Sequence, residues 1–306
     1  MKKFQVAILG GGGAGLTAAL YTSRANLSTV LFEKLTPGGQ IAVTDLVENY
    51  PGFPEGVLGP DIAMKMEEQA KKYGTVIEYQ EVKKILSASQ GGFSLETAGG
   101  EFRADSVILA TGASFRMLGV PGERELTGKG VSYCATCDGA FFKGKNVLVV
   151  GGGDSALQEG IFLTRFATRV TVVHRRDKLR ASPILQQRAK ENPKIDFIWD
   201  TAVEKIEGQG KVQRAQLKNL KSGHESEFPV DGVFIFIGHD PNSAFLKGFV
   251  DLDEKGYVKS DGSVKTNVPG VFAAGEIRAG ATKQLVAACG EGCEAALAAQ
   301  EFLEHV

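Results

Sequence analysis

Two stretches of the chain repeat one pattern of apolar and polar positions. Phe4 to Leu9 is a short, nearly uninterrupted apolar run, the pattern of a strand covered on both faces. Gly10 to Gly15 holds five glycines and one alanine, apolar residues at helical spacing follow from Leu16 to Arg24, and Thr29 to Phe32 is a second apolar run closing on Glu33. The order returns further on: a strand over Asn146 to Val150, glycines 151 to 153, a helix over Asp154 to Phe166, and a strand over Arg169 to Val173 closing on His174. Gly151 stands 141 positions after Gly10, and in both copies 18 positions separate the last small residue of the turn (Gly15, Ala156) from the residue that closes the second strand (Glu33, His174). Matching motif and spacing predict two copies of one strand, turn, helix and strand unit.

A second pair extends the duplication. Asp105 to Gly112 (DSVILATG) and Asp231 to Gly238 (DGVFIFIG) each run from an acid through an apolar strand to a glycine. Proline and glycine cluster at Gly119 to Glu123 (GVPGE) and at Gly238 to Asn242 (GHDPN), as segments crossing between domains do. Gly270 to Glu276 (GVFAAGE) reads as one more strand ending at a glycine, and Lys283 to Leu303 as a long alanine-rich helix interrupted by glycines at 290 and 292. This tail has no partner in the second copy, so it is assigned to the first. The predicted architecture is α/β with two Rossmann-like, three-layer domains: residues 1–115 and 243–306 form one, interrupted by a second over 116–242. Between the copies, Pro60 at a first helical position with Ile62, Met66, Ala70 and Tyr73 on one face and Gly74 as the stop predicts an amphipathic helix that is core, not site.

Composition narrows the functions. The chain has 306 residues with 35 Lys and Arg against 36 Asp and Glu, a net charge of -1 and no long block of one sign, which argues against nucleic acid as a partner. No apolar stretch reaches membrane-spanning length, and the lysines before the first apolar run mimic a signal peptide that the glycine turn contradicts, so an intracellular protein is expected. Thirty-nine glycines with ten prolines fit tight turns in a globular chain rather than collagen or a linker. The four cysteines fall in two close pairs, too few for a disulfide scaffold.

The glycine turns carry the first chemistry. Gly10-x-Gly12-x-x-Gly15 between a strand and a helix lets the backbone approach a pyrophosphate at the positive helix end, and Glu33 would accept ribose hydroxyls and repel a 2'-phosphate, so this site should hold FAD or NAD. Gly151-x-Gly153-x-x-Ala156 is the second fingerprint. There His174, Arg175 and Arg176 replace the acid, with Arg180 beyond, a set suited to the 2'-phosphate of NADPH. Cys134-Ala-Thr-Cys137 can close a disulfide and exchange two electrons with a flavin, or form half of a zinc site; Asp138 can move a proton or simply shape an Asp-Gly turn. Cys289 and Cys293, four apart on the last helix, read as buried small hydrophobes, His224 and His305 as exposed polar positions, and Trp199 as packing.

The order GGGGAG, ENYPG, ATGAS, CATCDG, GGGDSA, HRRDKLRA, GHDPN and GVFAAGE resembles the low-molecular-weight, bacterial-type thioredoxin reductases over essentially the whole chain. The resemblance implies a cytoplasmic homodimer with tightly bound FAD that uses NADPH to reduce thioredoxin or a thioredoxin-like protein, with no metal. It implies Cys134 and Cys137 as the redox disulfide, Cys137 on the flavin side, and Asp138 as acid and base. For FAD it implies Gly10, Gly12, Gly15, Glu33, Gln40, Asn49, Val82, Gly112, Glu276 and Gln284. For NADPH it implies Gly153, Asp154, Ser155, Ala156, His174, Arg175, Arg176 and Arg180, and it implies rotation of one domain on the other about residues 113–122 and 238–244. Two positions depart from the family's habit: Glu276 stands where Asp is usual, and Thr282-Lys283 where Tyr-Arg is usual. A peroxiredoxin reductase of related type would carry an additional N-terminal module, a ferredoxin-NADP reductase would lack CATC, a ferredoxin-driven enzyme would lack the arginines, and a redox sensor would bind both nucleotides without dithiol turnover.

Overall fold

The computed structural model describes residues 2–44, 46–47, 49–88 and 91–305; Glu48, the first residue of the ENYPG motif, lies outside them. The chain divides into two units, Met1–Ser114 with Asp240–Val306, and Phe115–His239. Each is built on a parallel sheet.

In the first unit β1 (Lys2–Leu9), α1 (Gly13–Arg24) and β2 (Thr29–Phe32) form the opening motif, and β3 (Leu46–Val47) pairs with β4 (Val57–Leu58) as a small ribbon. The chain continues through α2 (Gly59–Lys72), β5 (Val76–Glu78), β6 (Val82–Ser87), β7 (Phe93–Thr97), β8 (Gly100–Leu109) and β9 (Ala113–Phe115). Strands β5, β2, β1 and β8 run parallel in that order. The first half of β8 pairs antiparallel with β7, and β7 with β6. Alternation along β1 separates two cores: Val6 and Ile8 face α1 and the last helix, whereas Ala7 and Leu9 face the β6–β8 meander.

The second unit holds β10 (Val131–Ser132), the one-turn α3 (Ala135–Asp138), β11 (Asn146–Val150), α4 (Asp154–Leu163), β12 (Arg169–Val173), α5 (Pro183–Glu191), β13 (Ile195–Ile198), β14 (Thr201–Glu207), β15 (Arg214–Asn219), β16 (Glu225–Pro229) and β17 (Gly232–Ile235). Its parallel sheet has the order β10-β17-β11-β12-β13, with an antiparallel β14-β15-β16 sheet beside it. Val147 and Val149 of β11 face α4 and α5, and Leu148 and Val150 face the antiparallel sheet, so the layering of the first unit repeats. Helix α4 ends three residues before the predicted Phe166 because its last turn tightens: the N–H groups of Thr164, Arg165 and Phe166 donate to carbonyls three residues back.

The chain then adds β18 (His239–Pro241), β19 (Val271–Ala273) and α6 (Leu285–Glu304). β19 runs parallel to the second half of β8, and α6 packs on α1. Helix α6 is continuous, contrary to the interruption expected at Gly290 and Gly292. A Cβ on Gly292 would stand 2.2 Å from the Ala14 carbonyl oxygen, so this glycine serves the close approach of two helices. The second crossing lies earlier than the expected 242/243 because Asn242 is tied back into the first unit: its side-chain amide donates to the Thr111 carbonyl at 2.8 Å, and Thr111 Oγ1 donates to its carbonyl at 2.9 Å. Among the described residues no helix is long and apolar enough to cross a membrane.

Candidate functional site

The first glycine turn is closed from behind and open in front. A Cβ on Gly10 would lie 2.3 Å from the Ala110 carbonyl oxygen, and one on Gly15 would lie 1.8 Å from the Gly10 carbonyl oxygen, whereas Gly12, which caps α1, has nothing within 4 Å. The exposed side of the turn therefore presents backbone and the start of a 12-residue helix to an anion. Glu33 sits at the turn: its Oε2 accepts the Gly11 N–H at 2.8 Å and its Oε1 the Leu35 N–H at 3.0 Å, which fixes the carboxylate while leaving lone pairs for ribose hydroxyls.

Residues far apart in sequence close the same site. Gln40 Nε2 donates to the Ala113 carbonyl at 2.6 Å and to Glu276 Oε2 at 3.5 Å, and Asn49 Nδ2 donates to Gln284 Oε1 at 3.0 Å. Burial raises the Glu276 carboxyl above its ordinary value, opposed by Lys283 and by the Gln40 amide, and burial lowers the Lys283 ammonium. Gly112, in the left-handed region at φ 65°, has open space where a side chain would be. Val82 is buried in the core with Leu9 and Phe32, so a contact from it to a nucleotide is a main-chain contact. A cradle that added Cβ atoms would fill, an acid fixed at its edge and a desolvated carboxyl beyond it fit a flavin dinucleotide.

In the second unit Gly153 caps α4 with open space around its missing Cβ, while Ala156 packs at the root of the turn against Gly151. The basic loop folds back onto this turn, since the Arg180 and Ala181 N–H groups both donate to the Gly152 carbonyl, at 2.7 and 3.2 Å. Arg175, Arg176 and Arg180 are exposed. His174 differs from them: its ring is buried, a Cβ on Gly152 would overlap it at 2.3 Å, and one ring nitrogen meets the Lys178 carbonyl at 3.1 Å. Burial lowers its imidazole below the ordinary value, and Arg180, Arg175 and Arg176 lower it further. It braces the turn in neutral form, and the arginines carry the positive charge. Exposed Asp154 accepts the Ser182 N–H at 2.5 Å, and Ser155 beside it is exposed. Open turn, arginines and helix start together fit a phosphorylated dinucleotide.

Cys134 and Cys137 form a disulfide across the single turn of α3. Cys134 is the N-cap, and the Cys137 N–H donates to its sulfur at 3.1 Å. Sequence reasoning does not single out Ser132, which is buried and organises the turn: its hydroxyl donates to Asp138 Oδ2 at 2.5 Å and accepts the Cys134 N–H at 3.1 Å. Nor does it single out Glu159 of α4. Its Oε2 is buried without a partner, and burial raises its carboxyl despite a bond from the Ala135 backbone. Neither has a signal in the sequence, because a lone Ser or Glu takes its meaning from the neighbours folding supplies. Cys289 is buried and Cys293 half-buried, neither in a disulfide; His224 and His305 are exposed, and Trp199 stacks on Phe197.

Residues 4–292 match the pyridine nucleotide-disulphide oxidoreductase family. The thioredoxin reductase of Bacillus subtilis (strain 168) is 51% identical over 307 residues, covering 100% of this chain and 96% of the relative. The crystal structure of thioredoxin reductase from Streptococcus pyogenes MGAS5005 matches with a TM-score of 0.95 at 44% identity, covering 99% of each chain. That of Lactococcus lactis thioredoxin reductase, in an FR conformation, matches with 0.68 at the same 44% identity, covering 99% of this chain and 100% of the other. This is an FAD- and NADPH-using disulfide reductase. The agreement over its full length with relatives of that one kind means that the chain belongs to the thioredoxin reductase family of the pyridine nucleotide-disulphide oxidoreductases.

Proposed function

We propose that the Cys134–Cys137 disulfide accepts the electrons of NADPH and that the resulting dithiol reduces the disulfide of thioredoxin or a thioredoxin-like protein. The observation that carries this reading is the redox turn itself: a closed disulfide at a helix start with a hydrogen-bonded carboxylate one residue on. Gly10, Gly12, Gly15, Glu33, Gln40, Asn49, Val82 (by its main chain), Gly112, Glu276 and Gln284 hold FAD; Gly153, Asp154, Ser155, Ala156, Arg175, Arg176 and Arg180 hold NADPH, with His174 bracing them. FAD held by these residues would supply the chemistry that links a two-electron hydride donor to a disulfide.

The chain's own residues do the rest. Two electrons and one proton open the disulfide to one thiol and one thiolate. The Cys137 N–H and the start of α3 favour the negative charge on Cys134, which makes Cys134 the nucleophile. Its sulfur attacks the protein disulfide, releases one partner thiolate and forms a mixed disulfide; Cys137, deprotonated, then attacks the Cys134 sulfur, breaks the mixed disulfide, releases the second partner thiolate and re-forms the Cys134–Cys137 bond. Asp138, aimed by Ser132, gives and takes the proton of the Cys137 thiol.

A nicotinamide, a flavin-facing disulfide and a bulky protein substrate cannot all be served by one fixed arrangement, so the units rotate about the paired strands β9 and β18. A cytoplasmic homodimer completes the reading, supported by the family resemblance. The test mixes holoenzyme with NADPH or NADH, thioredoxin and a disulfide dye. Thioredoxin-dependent dye reduction with NADPH is expected; bleaching of the flavin without reduced thioredoxin overturns the assignment.

A further inference from the structure

Glu123 is a carboxylate with no exposed surface at all. Its oxygens accept the Leu118 N–H at 2.9 Å, the Gly119 N–H at 2.7 Å and the Tyr133 hydroxyl at 2.8 Å. Leu118 and Gly119 lie at the far end of the first crossing, and Tyr133 immediately precedes Cys134. The Tyr133 ring stacks on Phe115 of the crossing, centroids 5.0 Å apart and planes 16° apart, and Phe115 also packs on His239 at 4.9 Å. Burial and the Glu123 carboxylate push the Tyr133 hydroxyl well above its ordinary value, so it stays a donor at every working pH.

A buried acid satisfied by three donors from two segments ties those segments together, because moving either leaves a charged acceptor unpaired. On one side the tie reaches the crossing. On the other it reaches the residue whose neighbours, Ser132 and Cys134, are themselves bonded to each other and to Asp138. We propose that Glu123 and Tyr133 are positioning residues for disulfide reduction: the carboxylate and the hydroxyl couple the first crossing to the redox turn, so that opening of the Cys134–Cys137 bond is felt at Leu118 and Gly119. Opening the disulfide separates two sulfurs from bonding to van der Waals distance, and Cys134, held through Ser132, passes part of that shift to Tyr133. The inference rests on the reading of Cys134–Cys137 as the redox pair.

Tyr133→Phe tests it, since the ring and its stacking on Phe115 stay while the hydroxyl goes. Hydrogen exchange is followed in the oxidised and the NADPH-reduced holoenzyme over residues 116–124 and 129–138. In the wild type both segments change on reduction. In Tyr133→Phe the amides of Leu118 and Gly119 exchange about tenfold faster, the factor for one lost hydrogen bond to a charged group, and residues 116–124 no longer respond to reduction. Steady-state kinetics show kcat for thioredoxin reduced several-fold with KM unmoved. Glu123→Gln gives the same pattern where it folds. A response of residues 116–124 to reduction that survives in Tyr133→Phe overturns the proposal. Failure of the wild type to reduce thioredoxin instead overturns the reading beneath it, so the two failures are distinct.

Discussion

At the scale of single residues, charge placement separates the two nucleotide sites. Glu33 is fixed by two backbone N–H groups at the first turn, whereas the corresponding place in the second unit holds a buried neutral His174 and three exposed arginines. The arginines meet a phosphate that NADH lacks. Arg176→Ala and Arg180→Ala are each expected to raise KM for NADPH about tenfold, one charge-assisted bond each, with KM for NADH unchanged. Equal losses for both nucleotides would show that the arginines act on something other than the 2'-phosphate. Glu159 makes a prediction of the opposite kind, about stability. Its folded value is raised by burial, so its favourable contribution is fully present below the unfolded value and is lost as pH rises through the folded one. Glu159→Gln is therefore expected to raise the melting temperature of the holoenzyme at pH 8 and to change it little at about pH 4, near the ordinary carboxylate value. A gain of the same size at both pH values would assign it to shape rather than charge.

At the scale of elements, α6 shows how two glycines in one helix can differ. Gly290 is exposed, with nothing within 4 Å of where a methyl group would stand, whereas at Gly292 that place falls 2.2 Å from the Ala14 carbonyl oxygen of α1. Gly290→Ala is expected to stabilise by about 0.5–1 kcal/mol through helix propensity. Gly292→Ala is expected to destabilise by about 1–3 kcal/mol and to loosen FAD, because pushing α1 aside moves the turn at its start. Thermal melts and retained flavin after gel filtration read both; a Gly292→Ala protein that keeps its flavin and its melting temperature would mean the helices can part freely. The same pair marks what was legible in the sequence. Strands, glycine turns and the order of units were readable because hydrophobic period and turn chemistry are local. Gly290 and Gly292 looked alike because the approach of α1 is not local. For the same reason the motifs gave Cys134, Cys137 and Asp138 but not Ser132, and gave Asn49 and Gln284 only by family resemblance, although the two side chains bond each other across 235 positions.

At the scale of the whole molecule, what remains is where the chain can bend between its units. On the side of the first unit, Thr111, Gly112 and Ser114 are bonded to Asn242: the Asn242 N–H donates to the Gly112 carbonyl at 3.0 Å and Ser114 Oγ to Asn242 Oδ1 at 3.0 Å. On the side of the second, the Arg116 N–H donates to the Gly238 carbonyl at 3.0 Å, and Phe115 is packed against Tyr133 and His239. Ser114 is the last residue of the first unit before the chain crosses, within the strand β9 that pairs with β18. Proline there fixes φ near -65° and removes an N–H, which restricts one crossing without touching the glycine turns or the redox turn. Ser114→Pro is expected to lower kcat for thioredoxin several-fold while bound flavin per chain stays at the wild-type level; Ser114→Ala, which loses only the hydroxyl bond to Asn242, is expected to stay near wild type. A proline variant that turns over at the wild-type rate would mean that catalysis does not require this crossing to bend, and the rotation would have to be abandoned or moved elsewhere in the chain.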